Sequence, residues 1–91
     1  MSEGITKEFR IENTLGLHAR ASATLVRVAS RFRAEVTISK DGHAVNGKSI
    51  LGMMTLAAAK GSSIAVTATG DDQEAALAAI GQCIADKFGE E

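Results

Sequence analysis

One cysteine, no tryptophan and no tyrosine occur in these 91 residues. A lone thiol cannot close an internal disulfide, which points to a reducing, cytoplasmic setting. Aromatics make up only 3% of the chain, so the platform on which nucleic-acid bases would stack is missing. Charge of one sign is also lacking: 10 Lys and Arg stand against 11 Asp and Glu, a net charge of -1, which supplies no field for holding a polyanion. No uncharged apolar run approaches the roughly 18 residues of a membrane span. The opening MSEGITKEFRIE has no basic stretch followed by an apolar segment of the secretory kind. No cluster with metal-ligand spacing is visible. The expectation is a soluble cytoplasmic protein that binds neither nucleic acid nor membrane.

What is present is enough apolar residue to fold, 45% of the chain against 23% charged. The length has room for a single domain over 1–91. Ile5, Phe9 and Ile11 alternate with Thr6, Glu8, Arg10 and Glu12, a half-buried strand over 5–12. Ala21, Leu25, Val28, Ala29 and Phe32 recur at helical spacing and predict a helix over about 19–31. A second strand carries Ala34, Val36 and Ile38, Asp41-Gly42 supplies a tight hairpin turn, and a short strand follows at 43–46. Ser49 is placed to cap a second helix over about 50–59 that Gly61 closes. A fourth strand covers 64–69. Asp71 with Glu74 resembles a capping box for a last helix whose Leu77, Ile80, Ile84 and Phe88 form an apolar stripe, weakened by roughly 1 kcal/mol at Gly81. The order β-α-β-β-α-β-α is α+β, with helices on one sheet face and water on the other.

The stretch Asn13-Thr14-Leu15-Gly16-Leu17-His18-Ala19-Arg20 puts a histidine at a helix start and an arginine in its first turn. The first amides of a helix, here Ala19 and Arg20, lack intrahelical partners and sit at the positive end of the macrodipole, so an anion there finds donors. The Arg20 guanidinium can grip phosphate oxygens with paired hydrogen bonds, and Gly16 permits close backbone approach. Neutral imidazole is a nucleophile, so His18 is the candidate phosphoryl acceptor.

Two motifs resemble those of the HPr family, the histidine-containing phosphocarriers of the bacterial phosphotransferase system. Leu15-Gly16-Leu17-His18-Ala19-Arg20 is similar to the phosphohistidine loop, and Val45-Asn46-Gly47-Lys48-Ser49-Ile50-Leu51-Gly52-Met53-Met54-Thr55-Leu56 to the regulatory-serine segment. The resemblance implies an open-faced β-sandwich, a four-stranded antiparallel sheet covered on one face by three helices. It implies that His18 is phosphorylated at Nδ1 by enzyme I, with phosphoenolpyruvate as ultimate donor, and passes the group to A components of enzyme II sugar permeases. Arg20 would bind the phosphate, Ser49 would be the target of an ATP-dependent serine kinase/phosphorylase, a transcriptional regulator would be a further partner, and the carrier would be a monomer without cofactor. Where the family usually has proline after the arginine, this chain has Ala21, which predicts a looser helix start. That departure keeps open a regulatory paralogue that does not feed sugar transport.

Ile50, Leu51 and Met54 lie on a helix too short to bury them all, and with Leu17, Arg27 and Lys48 they are the candidate docking surface. His43 is expected at the surface, Cys83 as a packed or partly exposed thiol, and Asp71, Asp72 and Glu74 as capping groups. The competing class is a small phosphate-binding hydrolase resembling acylphosphatase, which would release inorganic phosphate instead of accumulating phosphohistidine.

Overall fold

The computed structural model describes residues 3–90. Alternation builds four strands, β1 (Ile5–Arg10), β2 (Glu35–Lys40), β3 (His43–Asn46) and β4 (Ser63–Thr69), and helical periodicity builds α1 (Ala19–Ala29), α2 (Ile50–Thr55) and α3 (Gln73–Ala85). All pairings are antiparallel and the strand order is β1-β4-β2-β3, so the last strand in sequence is central and β1 forms an edge. Asp41 and Gly42, with φ of 51° and 84°, make the turn of the β2–β3 hairpin. Val36, Ile38, Ile64 and Val66 point from the sheet into the core, where Ala21, Leu25 and Ala29 of α1, Met53 of α2 and Ile80 and Ile84 of α3 meet them, while Ala68 packs with Ala34 and Ala76 in a smaller cluster. The opposite face is polar, with Thr6 and Thr67 hydroxyls 2.7 Å apart across β1 and β4. The chain is therefore an α+β open-faced sandwich with three helices on one face.

The expected boundaries shift where tertiary partners outbid the local pattern. β1 stops at Arg10 because Ile11, fully buried, exchanges backbone bonds with the turn ahead of β4: its N–H donates to Ser62 O at 2.9 Å and its carbonyl accepts from Gly61 N at 2.8 Å. Gly61, with φ of 91°, thus belongs to that turn and does not close a helix. α2 ends at Thr55, not 59, because Ala57 turns left-handed (φ 51°) and sends Ala58 back into the core. α1 ends two residues early at a Ser30 cap.

The capping box between Asp71 and Glu74 does not form. Asp72 stands at the start of α3, but its carboxylate accepts from the amides of Arg33 (2.9 Å) and Ala34 (2.8 Å) in the α1–β2 connection, while Gln73 Oε1 accepts from Gly70 N. The Arg33 amide foremost, with that of Ala34, holds the Asp72 carboxyl below its ordinary value of 3.8. Phe88 lies beyond α3 in a 3₁₀ turn (Lys87–Gly89), where φ of 57° swings its ring into the core at 5% exposure. Gly81 has a packing reason: a Cβ there would come within 2.7 Å of the Phe9 ring, so its absence lets α3 lie against β1.

Candidate functional site

The loop between β1 and α1 is shaped by its contact with the segment after α2. Gly16 adopts φ of 69°, and a Cβ there would meet the Ala58 carbonyl oxygen at 2.4 Å. Leu17 N donates to that same oxygen at 2.8 Å. Within the loop, the Asn13 side-chain amide donates to Gly16 O at 2.8 Å, and His18 N donates to the same carbonyl at 2.9 Å. Ser22 N then donates to His18 O at 2.8 Å and opens the helix, while Ser22 Oγ donates to Leu17 O. His18 is left as the N-cap residue of α1 with extended backbone and a side chain that makes no capping bond.

The imidazole is free to face outward, its side chain 31% exposed, at the helix end where the amides of Ala19 and Arg20 lack helical acceptors. Its Nε2 lies 2.6 Å from Oε2 of Glu90, and Nδ1 has no hydrogen-bond partner among the described residues. The other Glu90 oxygen accepts from Asn13 Nδ2 at 2.9 Å. Arg20 is exposed, without an ion-pair partner among the described residues, and lines a shallow depression with Thr14, Leu15 and Glu90. Histidine, arginine and the helix-start amides thus stand within the first turn of α1, and groups of these types can receive a phosphoryl group and bind its oxygens. Ala21 is fully buried at this start, its methyl in the core cluster.

Ser49 caps α2, its Oγ accepting from Gly52 N at 3.0 Å. Ile50, Leu51 and Met54 are exposed at 42%, 78% and 42%, a run of apolar side chains on the surface of α2. Leu17 is the correction: at 4% exposure it packs in the core, and its side chain is not offered to a partner. Leu15, 71% exposed, is the outward leucine of the loop. The alternation of the two leucines about Gly16 was in the sequence, but which one faces inward depends on the left-handed turn at Gly16. Lys48 is tied by its ammonium to Phe32 O at 2.7 Å, and Arg27 is exposed with one guanidinium nitrogen on Thr24 Oγ1. His43 is exposed, its Nε2 3.3 Å from Thr55 Oγ1. Cys83 is half-buried, and burial, ahead of the nearby Asp86 carboxylate, pushes its thiol above the ordinary 9.0.

Sequence reasoning missed Glu90 and Asn13. Glu90 reaches His18 across 72 residues of chain, and no local pattern marks a carboxylate for such a contact. Asn13, fully buried, read only as a loop breaker.

The family model described as "PTS HPr component phosphorylation site" matches residues 5–86. The phosphocarrier protein HPr of Neisseria meningitidis is 45% identical over 86 residues, 94% of this chain and 97% of that protein. The corresponding protein of Xylella fastidiosa is 43% identical over 84 residues, 92% of this chain and 94% of that protein. The crystal structure of HPr-C-His from Thermoanaerobacter tengcongensis superposes with a TM-score of 0.89 at 41% identity, covering 99% of each chain. With the sheet order, the helix-start histidine and these matches agreeing, the chain belongs to the HPr family of phosphocarrier proteins of the phosphotransferase system.

Proposed function

We propose that this chain carries a phosphoryl group on Nδ1 of His18, taking it from phosphorylated enzyme I, with phosphoenolpyruvate as ultimate donor, and passing it to A components of enzyme II sugar permeases. The observation that carries this reading is the partly exposed His18 at the start of α1, its Nε2 engaged by Glu90 and its Nδ1 without a partner among the described residues, with the exposed Arg20 two residues on. The Nδ1 lone pair attacks phosphorus, the N–P bond forms, and the bond to the donor atom breaks with its electron pair returning to the donor. Arg20 and the amides of Ala19 and Arg20 hold the phosphoryl oxygens, and positioning of this kind is most of what phosphoryl transfer asks of a protein. The carrier works as a cytoplasmic monomer, and no helix among the described residues is long and apolar enough to cross a membrane.

Leu15, Ile50, Leu51 and Met54 give the partners an apolar surface, with Arg27 and Lys48 supplying charge. Ser49 is the regulatory phosphorylation site, for a serine kinase/phosphorylase and through it a transcriptional regulator. A phosphate there adds about -1.5 to -2 charges beside that surface and repels an acidic partner.

Incubation with enzyme I and phosphoenolpyruvate tests the carrier step. Intact mass spectrometry is expected to record one acid-labile phosphate on the wild type and none on His18→Ala; an equal gain on the variant would move the acceptor elsewhere. Ser49→Asp is expected to slow labelling about tenfold, since a full charge opposing docking costs about 1.4 kcal/mol or more. An unchanged rate removes Ser49 from control of this step.

A further inference from the structure

The sequence beyond α3 turns back on itself through Lys87, Phe88 and Gly89, all at positive φ, and the buried Phe88 ring anchors it. Glu90 follows, and its carboxylate is 13% exposed between Asn13 and His18. Asn13 is fully buried, and its amide nitrogen serves two acceptors, Gly16 O and Glu90 Oε1, while Oδ1 has no partner among the described residues. Both donor positions are therefore committed, and the amide cannot turn over without facing oxygen against oxygen. This clamp fixes the carboxylate, and with it the group that faces Nε2.

An ionised carboxylate only accepts, so the neutral ring opposite Oε2 must carry its proton on Nε2 and its lone pair on Nδ1. We propose that Glu90 is a positioning residue for His18: held by Asn13, it keeps the ring proton on Nε2 and leaves the Nδ1 lone pair to the phosphoryl group. For its consequence in transfer, this rests on the carrier reading above. As the N–P bond forms, positive charge develops on the ring and the Nε2 proton stays shared with Glu90. When the next acceptor attacks phosphorus, the N–P bond breaks and its electron pair returns to Nδ1. The carboxylate thus steadies the charged ring in both directions, as orienting carboxylates do for other nucleophilic or basic histidines.

Glu90→Gln is the informative variant because Asn13 continues to demand an acceptor. The glutamine oxygen turns to Asn13, its NH₂ faces Nε2, and the ring proton is driven to Nδ1, where it blocks attack. Glu90→Ala removes the instruction altogether. The ¹⁵N shifts of the two ring nitrogens in full-length protein, at a pH where the ring is neutral, read the proton's place without any donor. We expect Nε2–H in the wild type, a move to Nδ1–H in Glu90→Gln and a mixture in Glu90→Ala. Initial labelling by enzyme I should fall about 10- to 100-fold in Glu90→Gln, the usual range for losing an orienting partner, and less in Glu90→Ala. A dispersed amide spectrum certifies each fold, and the alanine variant serves if the glutamine variant does not fold.

The same proton position in all three proteins overturns the proposal, as does a moved proton with an unchanged rate. Normal wild-type labelling on His18 in either of those cases leaves the carrier reading intact. A wild type that cannot be labelled, yet whose ring proton moves as described, sinks the carrier reading and leaves the assignment of Glu90 to the ring standing.

Discussion

At the scale of single residues, the site depends on one backbone conformation. Gly16 combines φ of 69° with a neighbouring carbonyl 2.4 Å from where a Cβ would sit, and both penalties fall on any other residue. Gly16→Ala is expected to lose about 2 to 4 kcal/mol, the left-handed cost and the overpacking cost together, measured by urea unfolding. Labelling of His18 should slow as well, because the loop that holds the ring cannot keep its contact with Ala58. A stable variant with normal transfer would show that the loop has another way to close. The histidine, by contrast, sits in an ordinary extended conformation, φ -78° and ψ -176°, so the role proposed for it draws nothing from backbone strain.

At the scale of elements, α2 matters by being short. Six residues cannot turn four large apolar side chains inward: Met53 is fully buried while Ile50, Leu51 and Met54 remain at the surface. The crowded apolar run in the sequence predicted a longer helix, because periodicity cannot register the left-handed Ala57 that stops it. Leu51 touches solvent over 78% of its surface, so Leu51→Asp should change stability by no more than about 0.5 kcal/mol. If α2 is the docking element, the same substitution raises the KM for enzyme I about tenfold with little change in kcat, the loss of a hot-spot contact at a transient interface. An unaltered KM would remove α2 from that interface. The rest of the core follows the pattern read from sequence: Leu77, Ile80 and Ile84 point inward from α3, and Phe88 joins them from a turn and not from the helix.

At the scale of the molecule, remote segments are tied by side chains whose neighbours in sequence say nothing of the tie. Asp72 bonds the start of α3 to the α1–β2 connection through two amides 38 and 39 residues away. Those donors favour the ionised carboxylate and depress its folded-state pKa below 3.8. Its contribution to stability is therefore complete above the unfolded value and is lost as pH falls through the lower folded value. Asp72→Asn should unfold at lower urea than the wild type at pH 7, and the gap should begin to narrow below about pH 4 and close only below the lower folded-state value, where both side chains are neutral. A gap independent of pH would mean the carboxylate's charge is not what those amides hold.

The candidate site divides along the same line. Histidine, arginine and glycine stand within five residues, so the proposed nucleophile, the proposed phosphate grip and the turn all come from one stretch of chain: helix-start chemistry is local, and local spacing expresses it. Strand and helix identities were legible for the same reason, since alternation and helical recurrence report which side chains share a face. Neither period reports what that face will meet. Which of Leu15 and Leu17 is buried, where α2 stops, and that Asn13 and Glu90 close on the imidazole were decided only when the sheet order and the chain's return past α3 brought residues up to 77 positions apart into contact. Contacts of that kind depend on the packing of the whole chain, and no window of the sequence contains both of their partners.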